Sequence, residues 1–125
     1  MVSERDCRAL AESNRQLADR LRDSGDFNWA IVLVFYSALH LVNALEVRAG
    51  QYSDDLRHPE RAKFVDDFHP SIDVSYDHLY QKSIMCRYWP NYRADRDTYD
   101  RQIRHLNAIR GYVDKVLSGT SVGPP

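Results

Sequence analysis

The segment FYSALHLVNALE, residues 35–46, decides the fold of this chain. It belongs to a longer apolar run, residues 27–47, that contains no Gly or Pro and would form about six helical turns. Apolar residues occupy two sides of that helix, so both sides have to be covered by protein. We therefore expect either the centre of a helical bundle or, favoured for part of its length, a face buried by a second copy. One side holds Phe27, Ile31, Val34, Ala38, Val42 and Leu45, and the other holds Trp29, Leu33, Tyr36, His40, Asn43 and Val47.

Helical periodicity continues on both sides of this run. The pattern predicts helices over about residues 3–24, 27–49, 58–68, 76–88 and 95–117, and no strand pattern is present. The sequence therefore predicts an all-α protein, an up-and-down bundle of four to five helices, with one domain over residues 1–118 and a flexible tail over residues 119–125. The core-facing positions predicted outside the second helix are Cys7, Leu10, Asn14, Leu17 and Leu21; Ala62, Val65 and Phe68; and Tyr99, Ile103, Leu106, Val113 and Leu117.

Composition limits the classes of function. The 125 residues are 43% hydrophobic and 28% charged with a net charge of −1, which is typical of one water-soluble domain and gives no bulk attraction to nucleic acid. Cys7 and Cys86 match no metal or redox spacing, and the N-terminus shows no secretory signal, so we expect a cytoplasmic protein. Polar residues such as His40 and Glu46 interrupt the apolar run, which argues against a membrane span.

Three segments occur in a recognisable order: FYSALHLVNALE, then HPERAKF at residues 58–64, then YDHLYQKSIMCRY at residues 76–88, followed by a long last helix. Over about residues 8–117 this order resembles the HEPN superfamily (higher eukaryotes and prokaryotes nucleotide-binding). The resemblance implies a HEPN-like helical bundle that forms a homodimer. It also implies RNA-linked prokaryotic defence or toxin–antitoxin settings, in which the partner is RNA or another protein such as an antitoxin.

Catalytic HEPN members are metal-independent ribonucleases that carry an Arg and, after four to six residues, a His near the start of the last helix; two copies form one composite site. Here Arg101 and His105 come nearest to this motif, but only three residues separate them. We therefore expect a non-catalytic binding or assembly module. The second hypothesis is a metal-independent endoribonuclease in which Arg101 and His105 are catalytic and His40 extends the site. A structural interpretation of His40 is that it accepts a hydrogen bond from Tyr36, one turn earlier.

The segment RYWPNYRAD, residues 87–95, alternates aromatic and basic residues. Aromatic rings can stack on bases while guanidinium groups contact phosphates, so the segment is a candidate RNA-binding surface. The alternative is a rigid link between helices with Trp89 packed on the bundle. The candidate RNA-binding residues are Arg87, Tyr88, Trp89, Tyr92, Arg93 and, in the last helix, Arg104.

Five histidines raise a third hypothesis, a metal-binding helical-bundle enzyme. Helical metal sites usually carry a Glu-x-x-His motif or two histidines one turn apart, and neither spacing occurs. His58 and Glu60 flank Pro59 at a predicted helix start, where capping accounts for them. We therefore assign no metal ligand and expect no cofactor; P-loop, nucleophile-elbow and dinucleotide-binding motifs are also missing.

Overall fold

In the computed structural model, which describes residues 2–119, the chain folds into five α-helices. The described residues contain no β-strand, which confirms the all-α prediction. Residues 120–125 of the predicted tail lie outside the described part. The helices are α1 (Glu4–Asp23), α2 (Phe27–Arg48), α3 (His58–Phe68), α4 (Asp73–Tyr88) and α5 (Arg96–Leu117), and a 3-10 turn over Pro70–Ile72 precedes α4.

Local capping chemistry sets most helix boundaries. The Ser3 hydroxyl accepts a hydrogen bond from the Asp6 backbone N–H at 3.0 Å, and the Asp6 carboxylate accepts one from the Ser3 N–H at 3.3 Å. This reciprocal pair satisfies two donors that the first turn of α1 would leave open. Asp26 and Asp95 cap α2 and α5 through their side chains. The boundary predicted for α4 is wrong: the helix begins at Asp73, earlier than expected, because the 3-10 turn leads directly into it.

The four long helices run in alternating directions. Contacts along their length join the start of α1 to the end of α2 and the end of α1 to the start of α5. They also join the end of α4 to the first half of α2 and the start of α4 to the middle of α5. Such an arrangement is an antiparallel bundle in which α3 is a short addition between α2 and α4. The contacts are Glu4 with Arg48, Asp19 with Tyr99, Tyr36 with Arg87 and Ser75 with His105.

The central helix is α2, which packs on α1, α4 and α5 and touches α3 near its C-terminal end. Both of its sides are covered largely within one chain, since Asn43 is buried and Tyr36 and His40 are half-buried, whereas Trp29 in the first turn is exposed. Among the described helices, α2 alone is long and apolar enough to cross a membrane. However, 72% of its most apolar window is buried inside the structure, as expected for a core helix.

The predicted inner face of α1 is only partly confirmed: Cys7 is buried and Leu21 packs against the core, but the two leucines between them are not buried. Ala11 and Ala18 are buried, whereas Leu10 and Leu17 are 50% and 38% exposed. At 100° per residue, the buried face is rotated by roughly 60° from the predicted one. The physical reason is close packing on α2: alanine lets the two backbones approach, and the Ser37 hydroxyl donates a hydrogen bond to the Ala11 carbonyl at 2.8 Å.

The predicted inner face of α3 also needs correction. Val65 is buried as expected, but Ala62 is only half-buried and Phe68 is 56% exposed, while Arg61 and Phe64 are buried instead. The buried face shifts because the Arg61 side chain turns inward to meet polar groups of α2. Because arginine is charged, the hydrophobic periodicity of the sequence did not indicate that Arg61 would be buried.

Candidate functional site

The link between α4 and α5 is held against the bundle by one amide side chain. Asn28, in the first turn of α2, accepts a hydrogen bond from the Ala94 backbone N–H at 2.8 Å and donates one to the Tyr92 carbonyl at 3.0 Å. Both groups of the amide are thus used to fix the link backbone. Residues 87–93, which we call the link surface, are therefore presented in a defined arrangement.

Aromatic rings of the link surface face the solvent. Tyr88 is 66% exposed and Trp89 is 54% exposed, so Trp89 is not buried against the bundle, although the rigid link expected in the same alternative is present. Trp89 meets Tyr92 edge-to-face, with ring centroids 6.2 Å apart and planes at 88°. Because Trp89 is more than half exposed, its indole ring is accessible for stacking. Sequence reasoning missed Trp29 of α2, which is exposed and lines a shallow pocket together with Arg93.

Cations accompany these rings. The Arg87 guanidinium lies 5.1 Å from the Tyr88 ring centroid and donates a hydrogen bond to the Tyr36 hydroxyl at 3.2 Å. The Lys82 ammonium lies 5.5 Å from the centroid of the Tyr92 ring. Arg93 donates hydrogen bonds to backbone carbonyls of the link. The five link residues predicted from the sequence thus lie on one surface with Lys82, whereas Arg104 belongs to α5.

The two residues nearest to the HEPN motif occupy successive turns of α5. The Arg101 guanidinium is exposed and donates a hydrogen bond to the Thr98 hydroxyl at 3.3 Å. The His105 ring stacks on His78 of α4, with centroids 4.8 Å apart and planes at 10°, and its Nδ1 lies 3.1 Å from the Ser75 hydroxyl. Sequence reasoning missed Ser75 and His78, because only the packing of α4 against α5 brings them to His105.

Burial lowers the pKa of His105, and positive charge on His78 and Arg104 lowers it further. Because the ordinary value is 6.5, His105 is neutral at pH 7 and can accept a proton there. Arg104, predicted as an RNA-binding residue, thus has an electrostatic effect on the candidate catalytic histidine.

His40 does not join this pair. Within residues 2–119, no hydrogen bond, ion pair or ring contact connects it to Arg101 or His105. Burial lowers the pKa of His40, and the charge on Arg61 of α3 lowers it further. The predicted hydrogen bond from Tyr36 to His40 is not formed among the described residues; the Tyr36 hydroxyl instead accepts a hydrogen bond from Arg87.

Two arginines from other helices pair with polar residues of the segment FYSALHLVNALE, residues 35–46. Arg87 of α4 meets Tyr36, and Arg61 of α3 donates a hydrogen bond through Nε to Asn43 Oδ1 at 3.0 Å. Arg61 also lies 3.6 Å from the Glu46 carboxylate, where both side chains are buried. Burial raises the pKa of Glu46 to about 7 against the opposing charge of Arg61. Sequence reasoning missed this buried polar centre of Asn43, Glu46 and Arg61.

The residues that the structure describes contain no group of three or more His, Cys, Asp or Glu side chains placed to hold a metal ion. The metal-binding hypothesis therefore has no geometric support within residues 2–119.

No protein-family model matches the sequence, and none of the curated proteins compared with it does.

Proposed function

We propose that this protein is a HEPN-like, homodimeric helical module of the cytoplasm that binds single-stranded RNA without cleaving it. The settings implied by the resemblance are prokaryotic defence or toxin–antitoxin-type assemblies, with RNA or an antitoxin-like protein as partner. The observation that carries the proposal is the exposure of Tyr88 and Trp89 beside Arg87 and Arg93 on a link that Asn28 holds in place.

The physical argument concerns local chemistry rather than net charge. Each exposed ring can stack on a base, which contributes about 1–3 kcal/mol per base and tolerates any base identity. Lys82 lies 5.5 Å from the Tyr92 ring and Arg93 lines a pocket with Trp29, so both cations could contact phosphates of RNA bound at this surface. Because the link is already ordered, RNA binding would cost little additional backbone entropy.

Two further features support the HEPN-like part of the proposal. Side chains from the three segments that carry the resemblance meet one another: Tyr36 contacts Arg87, and His58 stacks on Tyr80. In addition, Leu10 and Leu17 form an exposed apolar stripe on α1 that a second copy could cover. Analytical ultracentrifugation of the wild type and of Leu10→Glu tests dimerisation; a monomeric wild type at tens of micromolar would contradict it.

Fluorescence anisotropy with a labelled single-stranded RNA at low salt tests RNA binding. We expect Trp89→Ala to weaken binding by roughly tenfold, because one stacked base is lost. Phe68→Ala is the matched control, since Phe68 is equally exposed but lies on α3 beside acidic groups. Equal affinity of the wild type and Trp89→Ala would exclude the link surface.

The geometry of His105 favours one second candidate function, a metal-independent endoribonuclease. A neutral His105 can take the proton from a ribose 2′-hydroxyl, and the stacked His78 would act as the general acid for the leaving 5′-oxygen. Arg101 of the same α5 stripe would stabilise the charged phosphorus centre, and a second copy would supply its own set. Attack of the 2′-oxygen on phosphorus, with loss of the 5′-oxygen, yields a 2′,3′-cyclic phosphate and a 5′-hydroxyl.

Incubation of labelled RNA with excess chelator tests this candidate. Cleavage that leaves cyclic phosphate ends and is lost in Arg101→Ala, His105→Ala and His78→Gln, but retained in Arg5→Ala, would support it. If wild-type protein that binds RNA leaves the strand intact over a broad set of sequences, the non-catalytic module is the better description.

A further inference from the structure

A second concave site lies away from the link surface. It is a pocket of about 220 Å³ between the C-terminal part of α2, the loop that follows and α3. Leu56, Phe64 and Phe68 supply apolar walls, and Glu46 is the most buried of the lining residues, with 1% of its surface exposed. A buried carboxylate beside apolar walls points to a ligand of opposite charge.

One oxygen of the Glu46 carboxylate lacks a hydrogen-bond donor. Its Oε1 atom is shielded from water and accepts no hydrogen bond from any described residue. The nearest cation is Arg61, but the Arg61 Nε–H is directed to Asn43 Oδ1 at 3.0 Å and lies 3.6 Å from Glu46. The Oε1 atom of Glu46 therefore receives charge attraction from Arg61 at a distance too long for a normal hydrogen bond. A donor that enters from the pocket would remove this deficit.

The other charges of the pocket are mainly acidic. Glu60 and Asp67 of α3 line it with Glu46, and their only lining counter-charge is Lys63, whose ammonium lies 2.7 Å from Asp67. The Lys63–Asp67 pair shows that an ammonium group is already accommodated at this edge. The Phe64 and Phe68 rings have centroids 5.4 Å apart, so an alkyl chain or a cation can lie against them.

We propose that this pocket binds an organic cation, an alkyl ammonium or guanidinium group whose charged end pairs with Glu46. The alkyl part would lie along Phe64 and Phe68. Such a group could belong to a free amine or to a Lys or Arg side chain of a partner protein. The inference rests on α2 and α3 alone and does not depend on RNA binding at the link surface.

The ionisation of Glu46 makes the binding depend on pH. The other charged groups near Glu46 are the cations Arg61 and Lys63 and the anions Glu60 and Asp67. Burial raises the pKa of Glu46, so ionisation of this carboxyl is completed only above neutral pH. A bound cation favours the ionised form, and cation binding should therefore strengthen as the pH rises through neutrality. The opposite pH dependence is expected for an anion.

Titration calorimetry at pH 8 tests the proposal with agmatine and with two blocked tripeptides, Ala-Arg-Ala and Ala-citrulline-Ala. Citrulline has the shape of arginine without its charge. We expect the cations to bind and the citrulline peptide not to bind. Tighter binding of agmatine would indicate a free amine, and tighter binding of the arginine peptide would indicate a protein partner. Equal binding of the arginine and citrulline peptides, or no binding of any cation, would overturn the proposal.

Variants assign the binding to this pocket. Glu46→Gln should weaken cation binding by roughly tenfold, as expected for loss of one charged hydrogen bond. Glu12→Gln on α1 is the matched control, because Glu12 is paired with Arg110 on another face. Two surface variants are expected to shift the affinity in opposite directions: Lys63→Gln should strengthen binding and Asp67→Asn should weaken it. These two changes keep the test valid even if Glu46→Gln alters the fold, and unchanged affinity in both would refute the site.

Discussion

The Nε atom of Arg61 lies 3.6 Å from the Glu46 carboxylate, and both side chains are almost completely removed from water. The two residues belong to α3 and α2, so this pair fastens the short third helix to the central one. A single arginine serves Glu46, Asn43 and the Leu56 carbonyl together. Because burial still raises the pKa of Glu46, the arginine offsets only part of the desolvation cost.

Glu46→Gln should make stability less dependent on pH. The pKa of Glu46 is about 7 in the folded chain against 4.5 for an ordinary Glu, so the folded state holds the extra proton between these values. The free energy of unfolding of the wild type therefore contains a contribution that falls as the pH rises from about 4.5 to 7. At pH 8 we expect Glu46→Gln to be more stable than the wild type by on the order of 2–3 kcal/mol.

Urea denaturation at pH 4.5 and pH 8 measures this difference. The comparison must be between the variant and the wild type, because lowered pKa values of His40 and His105 destabilise both proteins as the pH falls. Glu12→Gln should show no such pH-dependent gain. A constant difference between Glu46→Gln and the wild type at both pH values would contradict the assignment.

Arg61→Met should destabilise the fold by about 3 kcal/mol at pH 8, because it leaves a buried carboxylate without a counter-charge. The loss should be smaller at pH 5, where Glu46 is mostly protonated. The double variant Glu46→Gln/Arg61→Met should be less destabilised than the sum of its single changes. Additive effects in thermal or urea denaturation would show that the two side chains do not interact.

Asn28→Ala should damage the link surface without touching its aromatic residues. The variant removes the hydrogen bonds to Ala94 and Tyr92, and we expect a loss of about 1–2 kcal/mol in stability together with weaker RNA binding. Asn14→Ala on α1 is the control, since Asn14 lies away from the link. Unchanged RNA affinity in Asn28→Ala would mean that the order of the link does not matter for binding.

Substitutions on α1 test which face packs on α2. Ala18→Leu places a large side chain in a fully buried contact and should cost about 1–3 kcal/mol. Leu17→Ala, at the adjacent position, should change monomer stability by less than about 1 kcal/mol, because Leu17 is partly exposed. Thermal unfolding at low protein concentration, which excludes dimer contributions, measures both. A larger loss of stability for Leu17→Ala than for Ala18→Leu would support the leucine face predicted from the sequence.

Much of the fold could be predicted from local signals. The apolar run of α2, the capping residues Ser3, Asp26 and Asp95, and Gly25, whose φ of +82° suits the break between α1 and α2, act on neighbouring backbone. Periodicity was less reliable where small or charged residues formed the contact. Ala11 and Ala18 form the buried contact of α1, because close approach of two backbones requires small side chains. Arg61 enters the interior because ion pairing does not depend on a hydrophobic side chain.

The sequence by itself determined that the chain is helical, where most helices start and stop, and which segment combines aromatic and basic residues. Only the tertiary structure decided that Trp89 is exposed, that His105 stacks on His78, and that Glu46 lies beside Arg61 in a pocket. The physical reason is range: capping and helical periodicity act within a few residues, whereas exposure, stacking and desolvation depend on which helices pack together.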